Sequence, residues 1–192
     1  TYDSWVLFTT EFYRVIQARL EPGGLFCQWI PFHGLSPAQY LSIVRTFSAS
    51  FPHASLWVLG EAYSLLVATP QELKIDFRAM EKKPADNELA RILRPVGLDD
   101  PYAVLSHFVM AGTKLRFLAG FGPWILTDDR PAHMFFPFRA TNKEQYWVWP
   151  QVTHQRNMDQ RESVVPYLTN LGDSKEERDR VIQVIRARER RR

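Results

Sequence analysis

The residue types that could do chemistry in this chain are concentrated in two short segments. The first is Asp128-Asp129-Arg130, an acidic and basic run that follows an apolar stretch. Adjacent carboxylates can transfer protons, coordinate a metal ion or hold a polycation. In turn sequences such residues more often serve the backbone. We therefore favour Asp128 as a turn cap and Asp129 as the ion-pair partner of Arg130.

The second segment covers residues 20–30, Leu-Glu-Pro-Gly-Gly-Leu-Phe-Cys-Gln-Trp-Ile. Pro22 cannot extend the helix expected before it, because it lacks an N–H group and its ring clashes with the preceding turn. Gly23 and Gly24 can adopt positive φ, which lets the chain reverse. The apolar run over residues 25–30 is typical of a parallel strand covered on both faces.

Two polar residues lie near the carboxyl end of that predicted strand. Gln28 interrupts the apolar run, and His33 follows in the next loop. Ligands of open α/β sheets bind beyond the carboxyl ends of the strands, so both residues are candidates for ligand binding. The alternative for Gln28 is a buried amide whose partners are backbone groups.

Other common chemistries have little basis in the sequence. Cys27 falls inside the apolar run and is expected to act as a small, inert hydrophobic residue. The five histidines are scattered without the spacing of metal ligands, so no metal site is predicted. Neither a Gly-x-Ser-x-Gly turn nor a Walker-type loop occurs.

The elements that must position these residues follow from caps and periodicity. In the first 70 residues, the pattern predicts a helix capped by Thr9 or Thr10, the strand over residues 25–30, a helix opened by Ser36-Pro37, and an antiparallel hairpin over residues 56–59 and 64–69. Beyond residue 70 it predicts a short helix near residues 87–93, one helix running from Asp100-Pro101 through Leu118, an irregular Trp-rich stretch over residues 140–160, and a final helix capped by Ser174.

Composition narrows the class of protein. The 192 residues, of which 45% are hydrophobic, are enough for one core and a small appendage. The net charge of +3 depends on arginines at the extreme C-terminus, so no nucleic-acid partner is predicted. A single cysteine and the absence of a long apolar run favour a cytoplasmic protein or the cytoplasmic domain of a membrane protein.

A strand, a helix and an antiparallel strand pair close the class I S-adenosylmethionine-dependent methyltransferase fold, in which a Leu-x-Pro-Gly-Gly turn is widespread. Within that superfamily the chain most resembles the spermidine synthases (polyamine aminopropyltransferases), especially the bacterial branch fused to a major-facilitator-like membrane domain. The resemblance covers roughly the first 139 residues. It rests on Leu7 to Tyr13, residues 20–29, Gly34 to Pro37, Thr46 to His53, Thr127 to Pro131, and Pro137 with Arg139.

The resemblance implies that Gln28 faces a polyamine pocket, that His33 borders it, and that Asp128, Asp129 and Arg130 are a structural family marker. It also implies decarboxylated S-adenosylmethionine as co-substrate. The superfamily's glycine-rich loop, its acidic ribose-binding residue and the Asp-containing catalytic stretch are absent from the chain. We therefore predict no catalytic or cofactor-binding residue here.

The fold expected is the C-terminal part of a Rossmann-like, methyltransferase-like α/β sheet, with an antiparallel terminal hairpin and a helical C-terminal extension. The expected segments are the sheet at residues 1–70, a helical extension at 71–139 and a Trp-rich linker with terminal helices at 140–192. Expected partners are the N-terminal half of the same fold, a fused membrane domain, a polyamine and a second copy. A methyltransferase fragment and a non-catalytic interaction module stay open as alternatives.

Overall fold

The computed structural model of the chain describes residues 2–82, 88–98, 100–130 and 147–190. Packing divides the chain into two compact units. The first combines Thr1–Leu73 with Val109–Arg161, and the second combines Lys74–Phe108 with Glu162–Arg192. Each unit is therefore built from two separate stretches of chain, whereas the segments expected at residues 1–70, 71–139 and 140–192 are consecutive.

The first unit is a mixed α/β structure built on one sheet, which confirms the α/β part of the predicted fold class. A 3₁₀ helix over Tyr2–Phe8 precedes its regular elements. These are α1 (Thr10–Arg19), β1 (Phe26–Pro31), α2 (Pro37–Ser50), β2 (Ala54–Leu59), β3 (Tyr63–Ala68), β5 (Phe108–Ala111, whose first residue is assigned to the second unit), α6 (Gly112–Ala119) and α7 (Trp149–Asp159).

The strands lie in the order β1-β3-β2-β5. The predicted hairpin is confirmed, since β2 and β3 pair antiparallel with Leu56 opposite Leu66. β3, the second strand of the hairpin, lies between β2 and β1, because it also pairs antiparallel with β1. Within the described residues the other edge of β1 has no paired strand.

The prediction of a parallel β1 covered on both faces is wrong for this chain. Phe26 and Ile30 pack into the core on one face, but Cys27 is exposed and Trp29 is 49% exposed on the other. The reason is that helices α1 and α2 both contribute their apolar side chains to the same core as Phe26 and Ile30.

Local sequence chemistry accounts for the ends of the elements in this unit. Thr9 caps α1, and Ser36 forms a reciprocal capping box with Gln39 at the start of α2. Gly23 has φ +82° in the turn before β1. Gly24 has an ordinary φ, but a Cβ atom there would lie 2.9 Å from the Glu21 carbonyl oxygen. The two glycines of this turn are therefore needed for different reasons.

Helix α2 is buried along most of its length and organises the core. Its Phe47 ring packs edge-on against Tyr13 of α1, at 5.4 Å between centroids, and stacks on Phe26 of β1 at 5.9 Å. Tyr13 is fully buried among these rings, and its hydroxyl has no hydrogen-bond partner. Burial raises the pKa of Tyr13 well above its usual range, so the hydroxyl stays neutral.

The predicted single helix from Asp100 through Leu118 is wrong. Asp100 does cap a helix, through a 2.8 Å bond from the Tyr102 N–H, but this α5 (Pro101–Leu105) ends after five residues. The chain then forms β5, which is buried at every position, and α6 begins at Gly112 with φ +53°. An apolar run buried on both faces satisfies helical and strand spacing equally well, so periodicity alone could not separate them.

The Trp-rich stretch expected to be irregular contains α7 instead. The structure places Pro150 in the first turn of this helix. Backbone N–H groups in the first turn form no hydrogen bond within the helix, so the missing N–H group of proline costs nothing there. Thr153 and Asn157, one turn apart, are both buried. The Asn157 amide donates 2.9 Å to the Tyr40 hydroxyl of α2, which in turn donates 3.2 Å to Ser64. Residues 140–146, also expected to be irregular, lie outside the described residues.

The second unit is smaller and mainly helical. A two-residue parallel pair joins β4 (Ile75–Asp76) to β6 (Leu168–Thr169). Its core contains Phe77, Leu105, Phe108, Val164, Leu168, Val181 and Ile185. Its helices are α3 (Phe77–Glu81), α4 (Glu88–Leu93), α5, and α8 (Lys175–Glu189), with 3₁₀ turns at Arg94–Val96 and Val165–Tyr167. Ser174 caps α8 as predicted, and Val181 and Ile185 are its buried positions.

Replacing Tyr13 by Phe should stabilise the protein. The substitution keeps the ring packing and removes a buried hydroxyl that has no partner, so we expect the free energy of unfolding to rise by about 1 kcal/mol. Urea unfolding followed by circular dichroism measures this change.

Tyr40→Phe is the matched control, because the Tyr40 hydroxyl is equally buried but bonded to both Ser64 and Asn157. It should lower the free energy of unfolding by about 1 kcal/mol or more. Equal effects of the two substitutions would contradict the assignment of the Tyr13 hydroxyl as unpartnered.

Candidate functional site

An aromatic cluster of Trp29, His33 and Tyr63 lies at the carboxyl end of β1. The strand register pairs Pro31 with Tyr63 and Trp29 with Leu65, so Trp29 and Tyr63 share the partly exposed face of the sheet. Their ring centroids are 5.2 Å apart, and the His33 ring lies 6.0 Å from Tyr63 at an angle of 81°. Tyr63 therefore contacts both other rings and is the centre of the cluster.

The loop that carries His33 is held against the hairpin turn. The Phe32 N–H donates 2.8 Å to the Ala62 carbonyl, next to Tyr63. Gly34, with φ +77°, then turns the chain toward α2. The bond from Phe32 therefore holds the chain just before His33 beside Tyr63.

The chemistry that suits the aromatic cluster is recognition of an organic cation. Trp and Tyr ring faces attract an ammonium group within about 6 Å of their centroids. Trp29 and Tyr63 are 49% and 37% exposed, so their rings are accessible to solvent. Glu61, exposed in the hairpin turn two residues from Tyr63, adds a carboxylate in the same part of the fold.

Gln28, predicted to bind a ligand, lies on the other face of β1, together with Phe26 and Ile30. Its side chain is partly exposed, and its amide donates 3.2 Å to the Trp29 carbonyl. This hydrogen bond agrees with the alternative in which backbone groups are the partners of the Gln28 amide. That alternative also expected a buried side chain, and the side chain is partly exposed. The described contacts do not bring Gln28 and His33 together: the first bonds to backbone and the second contacts Tyr63.

Asp128, Asp129 and Arg130 are all exposed, in a tight turn closed by the bond from the Arg130 N–H to the Thr127 carbonyl. The turn is attached to α1 through the Asp128 backbone N–H, which donates 3.0 Å to the Glu11 carboxylate. Within the described residues, the Asp128 side chain caps nothing and Asp129 forms no ion pair with Arg130, unlike the expectation. Pro131, Pro137 and Arg139 of the same motif lie outside the described residues.

Cys27 is exposed, which differs from the expected buried position. Partial desolvation raises the pKa of its thiol, so the neutral form dominates near neutral pH and the sulfur is a weak nucleophile. No group of three potential metal-ligating residues occurs in the described part of the chain.

The second unit contains a polar cavity of about 340 Å³ lined by residues of β4, α3 and the loop before α8. Arg78, Asp173 and Asp76 of its lining form internal contacts. Arg78 pairs with Asp173 at 2.8 Å and with Glu177 at 3.3 Å, and Asp76 accepts 2.7 Å from the Asn170 amide. These bonds join α3 to the start of α8, so we assign the cavity a structural role.

Sequence reasoning found His33 but missed Trp29 and Tyr63. Trp29 was visible as an aromatic residue at the end of the predicted strand, on the face opposite Gln28. Tyr63 could not be found in this way, because its place beside Trp29 depends on the pairing of β1 with β3, which no local pattern specifies.

No family model, no curated protein and no solved structure matches the chain.

The contacts of Arg78 should make the second unit sensitive to acid. The Asp173 N–H and Arg78 lower the pKa of Glu177, and the Ala79 N–H and Asn170 lower the pKa of Asp76. Because the folded-state pKa values of both carboxyls lie below those of the unfolded chain, the stability they contribute is present above the ordinary carboxyl range. It is lost as the pH falls from that range through the lower folded-state values. Hydrogen exchange of residues 165–180, corrected for the intrinsic rate, should show this loss of protection.

Glu177→Gln should flatten the pH dependence of that protection and lower it at neutral pH. The matched control is Glu176→Gln, an exposed neighbour that forms no ion pair with Arg78 in the described structure. A wild-type pH dependence in the Glu177 variant would contradict the assignment.

Proposed function

We propose that the chain is the C-terminal part of a spermidine synthase-like domain and that its aromatic cluster binds the cationic amine substrate. In the intact family that amine accepts an aminopropyl group from decarboxylated S-adenosylmethionine. The observation that carries the proposal is the position of the Trp29 and Tyr63 rings at the carboxyl end of β1, where α/β sheets bind ligands.

The order of elements supports the fold part of the proposal. A strand, a helix and an antiparallel strand pair in one sheet form the arrangement with which the class I methyltransferase fold closes. The edge of β1 that has no paired strand in the described structure offers backbone groups to a further strand. We assign that place to the N-terminal half of the same fold.

The residues of this chain contribute amine binding and orientation in this proposal. The solvent-exposed faces of the Trp29 and Tyr63 rings, whose centroids are 5.2 Å apart, bind the ammonium group. Glu61 supplies negative charge nearby, as a polycation requires. His33, edge-on to Tyr63 at 6.0 Å between centroids, borders the site of the amine in this proposal.

The residues present do not fit the aminopropyl donor. Binding its ribose and methionine-derived parts takes a glycine-rich loop and an acidic residue at a strand end, and the sequence has neither in such a context. A carboxylate to deprotonate the attacking amine is also not identified. We therefore derive no step of the transfer from this chain.

Putrescine and spermidine should bind weakly to the chain through the aromatic cluster. Trp29→Leu should weaken binding by about two- to fivefold, since an exposed cation–π contact is worth about 0.5–1 kcal/mol. Trp29→Phe should retain part of the affinity. Titration followed by the NMR signals of the indole N–H groups measures the binding.

Trp147→Leu is the matched control, because Trp147 is 70% exposed and lies outside the cluster. It should leave the affinity unchanged. Equal binding by the wild type and Trp29→Leu would contradict the proposed amine site, and it would favour a methyltransferase-like or non-catalytic role for the same sheet.

The chain alone should not transfer an aminopropyl group. With decarboxylated S-adenosylmethionine and putrescine, formation of spermidine should stay at the level of the reaction without protein, because donor-binding residues are not identified. Chromatography of the labelled amine products provides the measurement. Protein-dependent spermidine formation would overturn this prediction.

A further inference from the structure

We infer that the end of α6 docks on the surface of an anionic lipid bilayer, with the rings of Phe117 and Phe121 inserted among the headgroups. This inference concerns the first unit only and does not depend on the proposed amine site. The two phenylalanines are called the Phe tip below.

The Phe tip is an exposed apolar surface. Phe117 is 64% exposed and Phe121 is 57% exposed, and their rings meet edge to face at 5.2 Å between centroids. Ile125, 37% exposed, follows four residues after Phe121 in the non-helical segment. Contiguous exposed aromatic residues of this kind mark an interaction site more often than isolated ones do.

The segment that carries Phe121 is held firmly against α2. A Cβ atom on Gly122 would lie 2.3 Å from the Leu41 carbonyl oxygen, so only glycine permits this approach. The Arg45 guanidinium donates 2.6 Å to the Gly122 carbonyl, and the Trp124 N–H donates 3.3 Å to the Ser42 hydroxyl. The tip is therefore ordered before it meets a partner, which lowers the entropic cost of docking.

Both charged residues of α6 are basic. Residues 111–127 include Lys114 and Arg116 and no Asp or Glu. Arg116 donates to the Pro52 carbonyl and the Thr113 hydroxyl, and Arg45 donates to a carbonyl. Among the described residues, none of these acceptors is a carboxylate, so both guanidinium groups offer positive charge to an anionic surface.

The size of the tip favours a bilayer over a protein partner. A Phe side chain presents about 200 Å² of surface, so the exposed fractions of the two rings amount to roughly 240 Å². A stable protein interface buries about 800 Å² on each partner. A lipid surface has no such minimum, and aromatic rings beside Lys and Arg are typical of segments that lie in the headgroup region.

Docking of this kind is peripheral. Among the helices in the described part of the chain, none is long and apolar enough to cross a bilayer. The tip consists of two rings at the end of an eight-residue helix, so it reaches the boundary between headgroups and acyl chains and no further.

Sedimentation with vesicles tests the inference. The chain should bind vesicles of phosphatidylcholine mixed with phosphatidylglycerol more tightly than vesicles of phosphatidylcholine alone, and added salt should reduce the difference. The double variant F117S/F121S should bind the mixed vesicles at least tenfold more weakly, because two apolar anchors are lost. Arg116→Gln should weaken binding to the mixed vesicles by about fivefold.

The matched control is V15S/L25S, which removes two apolar side chains of the same unit that are 50% and 65% exposed. It should bind like the wild type, and circular dichroism should show that both double variants are folded. Failure of the wild type to bind mixed vesicles, or equal binding by F117S/F121S, would overturn the inference. A change of oligomeric state in F117S/F121S with unchanged vesicle binding would assign the tip to contacts between copies instead.

Discussion

The burial of α2 is the constraint on which the rest of the first unit depends. Apolar side chains alone could fill the space around such a helix, but Ser42 and Thr46 are also fully buried. Each hydroxyl donates to a carbonyl one turn earlier in α2 and accepts a backbone N–H from the segment before Thr127. Two small polar side chains thus satisfy the backbone of a segment that has no strand to pair with.

The positions of both functional surfaces follow from that helix. On its sheet side, α2 covers the face of β1 that carries Phe26 and Ile30, and the opposite face with Trp29 and Tyr63 is left partly exposed. Elsewhere along α2, Gly122 is drawn close to Leu41, which places Phe121 at the surface. The proposed amine site and the Phe tip are therefore two outcomes of how the chain packs around one element.

Local chemistry made much of this fold predictable, and the failures have a common physical origin. Thr9, Ser36 and Asp100 cap helices because their side-chain oxygens accept hydrogen bonds from the free backbone N–H groups of the first helical turn. The stretch around β5 was misjudged because complete burial removes the alternation that distinguishes strand from helix. The candidate site was only half predictable, since His33 is placed by its own loop, whereas Tyr63 reaches Trp29 through a strand pairing distant in sequence.

The insertion of β3 between β1 and β2 also imposes an order of assembly. The hairpin of β2 and β3 closes through a three-residue turn, whereas β1 reaches β3 across the whole of α2 and β2. Loop-closure entropy favours the local pairing, so the hairpin forms first and β1 joins it afterwards. During synthesis β1 is made before β3, its strand partner. β1 has no charged residue, so the apolar strand is most able to pair with another chain in the time between the synthesis of the two strands.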